Sequence, residues 1–255
     1  IQSDNTDTSL RVTSDKERFD EQSNKSEQKL HAGLALARML RAISPRHIDT
    51  SVIVKTALVH GKKIIKVDDN YLKMEKGEQA HLEADGLVTN LPVDKVVLMT
   101  LNADCPSLTI FAPDVNAIGL AHCGWKVLKA GMVREIIKTI HAEYGADISS
   151  LQVSVSPGAG EIEYEVGENV YNEFLSQNPK FAQAFKETNS QAKEGERKFL
   201  FDLNKIIELE VLRAGIKPEA FEASRLSSID SDFFASQRRQ GDSRSTNVSL
   251  AGLLK

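Results

Sequence analysis

A cysteine and a histidine, Cys105 and His122, stand at the outer ends of two neighbouring apolar runs. Three such runs, each the length of a buried strand, follow one another in this part of the chain: 96–101, 108–111 and 117–122. Pro113 and Asp114 supply turn residues between the last two runs, so we predict an antiparallel hairpin. A hairpin brings the thiol and the imidazole to the same end of a sheet.

The position of the turn decides which residues face each other. If it centres on Pro113–Asp114, Cys105 lies opposite His122; if it centres one residue later, Cys105 lies opposite Gly124 and diagonal to His122. Opposed Cβ atoms are about 4.5–5.5 Å apart, so a cysteine sulfur and a histidine nitrogen there can share one metal ion. The alternatives are a small core residue, a thiol nucleophile with a histidine base, or a disulfide to Cys123.

Another histidine, His60, lies between two predicted strands, 51–54 and 63–67, and is followed by glycine. A histidine at a strand end can face a cleft and act as a ligand, although a lone histidine is more often structural. Asp85 belongs to a polar turn that leads into another short strand. Its carboxylate either orients a metal-bound histidine or caps the turn.

Length and composition set the class of protein. With 255 residues, of which 41% are hydrophobic, the chain can bury a substantial core. We expect no membrane span, because no apolar run approaches the required length of about 20 residues. A net charge of −4 argues against a general nucleic-acid surface. Two cysteines suggest no oxidising compartment, so we expect a cytoplasmic protein, although a start at Ile1 is compatible with a removed targeting segment.

Strand and helix patterns are mixed along the chain, with no visible repeat or linker. Residues 1–27 are polar and predict a loose N-terminal arm, whereas 28–255 predict a single α+β domain. Predicted helices begin near Ser26, Trp125 and Gly167 and after Asp202. The helix from Trp125 is expected to continue to about Tyr144, and 178–195 to form a polar, variable excursion.

Arginines near the C-terminus are candidates for anion binding. Arg238, Arg239 and Arg244 fall within seven residues and either bind phosphate through their planar guanidinium groups or form a solvated charged loop. Lys126 follows a glycine-containing strand-to-helix junction and is a further candidate for lining a pocket. The loop 156–160 is glycine-rich but lacks the ending of a nucleotide-triphosphate loop.

Several short motifs together resemble one family, the YfiH-like laccase-domain proteins, variously labelled polyphenol oxidase, peptidoglycan editing factor or purine nucleoside phosphorylase. The resemblance covers about Ser51 to Arg244. Its motifs are Val59–Gly61, Ala84–Thr89, Ala103–Pro106, Ala121–Trp125, Tyr164–Gly167 and the arginine-rich end. The resemblance implies a single α+β domain built as an α/β/β/α layered sandwich with mixed sheets.

The resemblance also implies one zinc ion per chain, held by His60, Cys105 and His122. Three protein ligands leave a fourth position open, as in catalytic zinc sites. The implied activity is phosphorolysis of purine nucleosides (adenosine, inosine, methylthioadenosine) together with adenosine deamination. Copper is the less favoured metal, because multicopper oxidation needs many histidines and this chain has six.

Roles for the remaining candidates follow from this implied reaction. We expect Asp85 and Asp104, beside the ligands, to orient them or to relay a proton. The expected contacts to substrate and phosphate are Lys126, Tyr164, Arg238, Arg239 and Arg244. The expected partners are therefore a purine nucleoside and phosphate, with no nucleic acid and no membrane. The alternatives are a metal-free cysteine–histidine hydrolase and, less favoured, a copper-dependent polyphenol oxidase.

Overall fold

The computed structural model describes residues 52–188, 197–241 and 245–254, all of them within the compact unit Ile48–Lys255. The predicted arm 1–27, the helix predicted from Ser26 and the candidate Arg244 lie outside the described residues. The boundary between an arm and a domain at residue 27 therefore stays a prediction.

A mixed six-stranded sheet forms the centre of the described fold. Its strand order is β11-β7-β5-β6-β3-β2, with parallel pairs at both edges and antiparallel pairs between. The strands of this sheet are β2 (Ile64–Lys66), β3 (Gly86–Thr89), β5 (Ser107–Ala112), β6 (Ala117–His122), β7 (Gln152–Val155) and β11 (Phe221–Ala223).

The predicted hairpin is β5–β6, and its register is the later of the two alternatives. Ser107 pairs with His122 and Ala112 with Ala117, so the loop contains the four residues from Pro113 to Asn116. Asn116 adopts a left-handed backbone with φ of 47°, a conformation that asparagine tolerates better than most residues. Continued beyond the ladder, this register places Cys105 opposite Gly124 and diagonal to His122.

Helices cover one face of the central sheet. Ile136 and Ile140 of the long helix after β6 approach Gly119 of β6 so closely that a Cβ there would lie 2.9 Å from the Cδ1 atom of Ile136. The predicted continuous helix 125–144 is wrong, because Gly131 adopts a φ of 90° and divides it. The helices are α1 (Asp69–Lys73), α2 (Lys76–Ala80), α3 (Trp125–Lys129), α4 (Met132–Tyr144), α5 (Glu168–Leu175), α6 (Leu203–Arg213) and α7 (Gln237–Gln240).

A smaller mixed sheet packs on the opposite face. It consists of β4 (Val97–Asn102) between β1 (Ile53–Val54) and β12 (Asn247–Ala251). Leu98 of this sheet and Leu120 of the central sheet belong to one buried cluster, to which Tyr71 of α1 also contributes. The predicted α+β class with layered, mixed sheets is confirmed.

A third, antiparallel sheet carries an aromatic cluster. Its strands, in spatial order, are β8 (Glu165–Gly167), β10 (Lys198–Phe201) and β9 (Phe185–Glu187). The rings of Phe185 and Phe201 stack with centroids 4.2 Å apart. The prediction of a polar excursion at 178–195 is wrong for its first part, because Phe181 is buried and β9 pairs in the sheet.

Truncation of Phe174 tests this aromatic cluster. Its ring is 1% exposed and lies 5.1 Å from the Phe201 ring, between centroids. We expect Phe174→Ala to lower the free energy of unfolding by about 3–5 kcal/mol, because it removes apolar contacts and leaves a cavity. Phe233→Ala is the control, since that side chain is 68% exposed; equal losses in urea unfolding would contradict the packing described.

Candidate active site

Cys105 and His122 converge on a small space beside Gly124. A Cβ atom built on Gly124 would lie 2.7 Å from Sγ of Cys105, 3.4 Å from Cε1 of His122 and 3.6 Å from Nε2 of the same ring. No side chain fills this space because the residue is glycine. The thiol and an imidazole nitrogen therefore face a common point, as the register of the hairpin requires.

The other ring nitrogen of His122 faces Asp85. Nδ1 lies 3.5 Å from Oδ1 of Asp85, which is an ion-pair distance, but it forms no well-aligned hydrogen bond with any described residue. Burial lowers the pKa of His122, but interactions with Asp85 and Cys105 outweigh burial and raise it to about 9. When no metal is bound, this raised pKa favours the imidazolium form of His122 at neutral pH.

Asp85 links the two histidines. Its Oδ1 accepts the N–H of His60 at 3.0 Å, while Oδ2 accepts those of Gly61 at 2.8 Å and Val59 at 3.3 Å. Burial acts to raise the pKa of Asp85, but the neighbouring His122 ring and the backbone N–H groups of Gly61 and His60 lower it overall. The carboxylate therefore also supports the left-handed backbone of His60, whose φ is 58°.

The ring of His60 stands edge-on to that of His122, with centroids 5.4 Å apart and planes at 77°. Within the described part of the chain, no three histidine, cysteine, aspartate or glutamate side chains already form a metal-binding group. His60, Cys105 and His122 are therefore not already arranged as a closed ligand set among these described residues. The chemistry of the donors, one thiol and two imidazoles with a carboxylate behind His122, fits zinc.

Asp104 connects the cysteine loop to the C-terminal segment. Its Oδ1 accepts the hydroxyl of Ser228 and its Oδ2 accepts the backbone N–H of Arg238, both at 2.8 Å. Its backbone adopts a φ of 77°, and its carbonyl accepts the N–H of Ala159 at 2.6 Å. Both carboxylate oxygens thus hold protein groups.

Tyr164 and Arg238 contact each other through the ring and the guanidinium. The guanidinium carbon of Arg238 lies 4.7 Å from the centre of the Tyr164 ring, and the group also donates to the carbonyl of Glu165 at 2.9 Å. Burial raises the pKa of Tyr164, the charge of Cys105 raises it further, and Arg238 acts in the opposite direction. The pKa of Tyr164 therefore depends on both Cys105 and Arg238.

The other predicted contacts occupy different positions. Arg239 donates to the carbonyls of Ser228, Ile229, Ser231 and Phe234, so its guanidinium holds a loop together. Lys126 is exposed, and its Nζ lies 5.7 Å from the centre of the Trp125 ring. Cys105 and Cys123 are both free thiols, so the disulfide alternative is not formed.

Residues 21–253 match the sequence profile of a family described as multi-copper polyphenol oxidoreductase laccase. The chain belongs to this family. The crystal structure of the Bacillus licheniformis protein YfiH is similar, with a TM-score of 0.75 and 24% identity, covering 88% of this chain and 82% of that one. At that identity the likeness shows the fold, which agrees with the resemblance noted in the sequence.

Two curated relatives are named purine nucleoside phosphorylase. The protein from Xylella fastidiosa is 31% identical over 182 residues, which are 71% of this chain and 65% of the relative. The protein from Rickettsia conorii is 30% identical over 159 residues, which are 62% of this chain and 59% of the relative. The aligned parts thus span less than two thirds of the relatives' own length.

Two site features of this family member escaped the sequence reasoning. The sequence identifies Gly124 as a facing residue and as part of a strand-to-helix junction, but not that its missing side chain creates the space between Cys105 and His122. Ser228, which is 1% exposed, carries no sequence signal because a serine is common in a polar segment.

None of the helices in the described ranges combines the length and the apolar composition that a membrane-spanning helix needs.

Proposed function

We propose that this chain is a zinc-dependent purine nucleoside phosphorylase that also deaminates adenosine. The names of the relatives support the nucleoside and phosphate as substrates, with adenosine, inosine and methylthioadenosine as candidates. The single observation that carries the proposal is the space beside Gly124, on which Sγ of Cys105 and the imidazole of His122 converge.

His60, Cys105 and His122 are the proposed zinc ligands. At a site with three protein ligands, zinc supplies an open coordination position, a Lewis acid and a means of acidifying water. Asp85 orients the imidazole of His122 through Nδ1, so that Nε2 faces the thiol. The same carboxylate holds the backbone of His60 through its N–H.

Phosphorolysis joins a phosphate oxygen to the anomeric carbon of ribose and releases the purine base, so it requires a cation near the sugar. Arg238 is the proposed phosphate contact, because its guanidinium is exposed and uses only part of its five N–H donors on the Glu165 carbonyl. Tyr164 provides an aromatic surface beneath that guanidinium. Lys126 is the reserve cation.

The decisive test is elemental analysis of the purified protein together with phosphate-dependent turnover of adenosine and inosine. We expect about one zinc per chain in the wild type, and loss of both metal and turnover in His60→Ala. His81→Ala is the matched control, because His81 is an exposed residue at the end of α2. Absence of metal, or turnover unaffected in His60→Ala, would refute the zinc assignment, and copper in place of zinc would revive the oxidase alternative.

A metal-free cysteine–histidine hydrolase is the second candidate. The observation that favours it is the convergence of Sγ of Cys105 and the His122 ring beside Gly124, together with the raised pKa of that imidazole. In this case His60→Ala retains an active thiol. Rapid alkylation of Cys105 at neutral pH in a protein without bound metal would favour the hydrolase and overturn the zinc-ligand assignment.

A further inference from the structure

Two hydrogen bonds, one buried and one partly buried, tie the C-terminal segment to the residue before Cys105. Asp104 is 6% exposed and Ser228 is 1% exposed, and the Ser228 hydroxyl donates to Oδ1 at 2.8 Å. Oδ2 accepts the backbone N–H of Arg238 at the same distance. Since hydrogen bonds to charged groups are stronger than neutral ones, this carboxylate is a firm anchor for the start of α7.

The anchor is needed because α7 is only four residues long, from Gln237 to Gln240. Such a short helix has few internal hydrogen bonds, so contacts outside it must fix its position. Ser236 caps its first turn by accepting the N–H of Arg239 at 3.1 Å. The Asp104 carboxylate then sets where the backbone of Arg238 lies relative to the cysteine loop.

The side chain of Arg238 extends from this anchor to Tyr164 and Glu165. Its guanidinium lies over the ring of Tyr164, which is 9% exposed, and donates to the carbonyl of Glu165. Its backbone and its guanidinium are therefore held by different parts of the chain. A change at either anchor moves the cation relative to Cys105.

We propose that Asp104 and Ser228 are positioning residues that hold Arg238 where it binds an inorganic or substrate phosphate. This inference rests on the proposed function, because it assigns the phosphate contact of the same site. It replaces the proton relay expected for Asp104, since both carboxylate oxygens already accept protein donors.

The test compares Ser228→Ala with Asp104→Asn. Ser228→Ala leaves Oδ1 without its donor, and we expect the KM for phosphate to rise about tenfold with kcat nearly unchanged, as loss of one buried hydrogen bond predicts. Asp104→Asn should raise the KM for phosphate less than Ser228→Ala does: the charge of the carboxylate is lost, but the amide can donate to Oγ of Ser228 while its oxygen accepts from Arg238. Asparagine also tolerates the left-handed backbone at this position.

A second measurement does not depend on turnover. Inorganic phosphate should raise the Tm of the wild type, and the rise should be smaller in Ser228→Ala and absent in Arg238→Ala. Ser224→Ala is the control: it removes a hydroxyl from the same segment, where Oγ accepts the N–H of Leu226 and does not bond to Asp104.

The outcomes separate this inference from the proposed function. A collapse of kcat in Asp104→Asn would restore the proton relay and overturn the positioning role. Unchanged KM and unchanged phosphate stabilisation in Ser228→Ala, or a wild type that phosphate does not stabilise, would also overturn it. If no nucleoside is turned over but phosphate stabilisation depends on Ser228 and Arg238, the positioning role stands and the proposed activity fails.

Discussion

Replacing Gly124 by alanine should abolish the proposed zinc binding and nucleoside turnover while leaving the fold intact. The added Cβ would lie 2.7 Å from Sγ of Cys105, closer than non-bonded atoms approach, and would occupy the point that this thiol shares with His122. The backbone is not the obstacle, because Gly124 has φ of −68° and ψ of 161°, which alanine adopts freely. Loss of a group that hydrogen-bonds to a metal ligand typically lowers metal affinity by roughly 10- to 100-fold. We expect a larger loss of affinity in Gly124→Ala, because the added Cβ occupies the proposed metal position itself.

Elemental analysis and urea unfolding of the metal-free protein provide the measurement. Gly77→Ala is the matched control, because a Cβ at Gly77 would meet no atom within 4 Å. We expect that control to retain metal and activity. If Gly124→Ala binds zinc and turns over nucleosides like the wild type, the metal does not lie between Cys105 and His122, and the proposed ligand set is incorrect.

The hairpin that carries this site could be predicted from the sequence because short apolar runs alternate with turn residues. The prediction stopped at two registers, since Pro113, Asp114 and Asn116 are compatible with either turn. The structure has the later register, in which Ser107 pairs with His122 and Asn116 takes the left-handed conformation. Asparagine permits this left-handed conformation but does not require it, so the residue type at position 116 could not decide between the two registers.

The wrong predictions concern places where local pattern and tertiary structure disagree. The apolar spacing of 125–144 continues across Gly131, so periodicity alone cannot reveal that this glycine adopts φ of 90° and divides the helix. Similarly, Phe181 stands among polar residues, yet it is buried against Phe174. The helix break at Gly131 and the burial of Phe181 are seen only in the three-dimensional structure.

Within the site, residues close in sequence were easier to predict than links across the chain. The hairpin register accounts for the meeting of Cys105 and His122, and a polar turn before β3 suggested a role for Asp85. By contrast, Asp104 and Ser228 are separated by 124 positions. No periodicity connects positions so far apart, so that network required the three-dimensional structure.

Substituting Asp85 by asparagine should weaken metal binding by about 10- to 100-fold and lower the free energy of unfolding by about 1–3 kcal/mol. The reason is that Oδ1 and Oδ2 together accept three backbone N–H groups and face Nδ1 of His122. An amide nitrogen cannot accept a hydrogen bond from these N–H groups. Whichever carboxylate oxygen it replaces, at least one backbone N–H loses its acceptor. Asp69→Asn is the control, because that carboxylate is exposed and forms a surface ion pair with Lys95.

The stability effect of Asp85 should depend on pH with a definite sign. Its pKa is lower in the folded protein than its ordinary value, so the carboxylate stabilises the fold above the unfolded pKa of about 4. That contribution is lost as the pH falls through the lowered pKa of the folded state. In urea unfolding of the metal-free proteins, the gap between wild type and Asp85→Asn should therefore be full at pH 7 and shrink below about pH 4. A gap that widens on acidification would mean that the buried carboxylate is protonated in the folded protein and does not hold the two histidines as an anion.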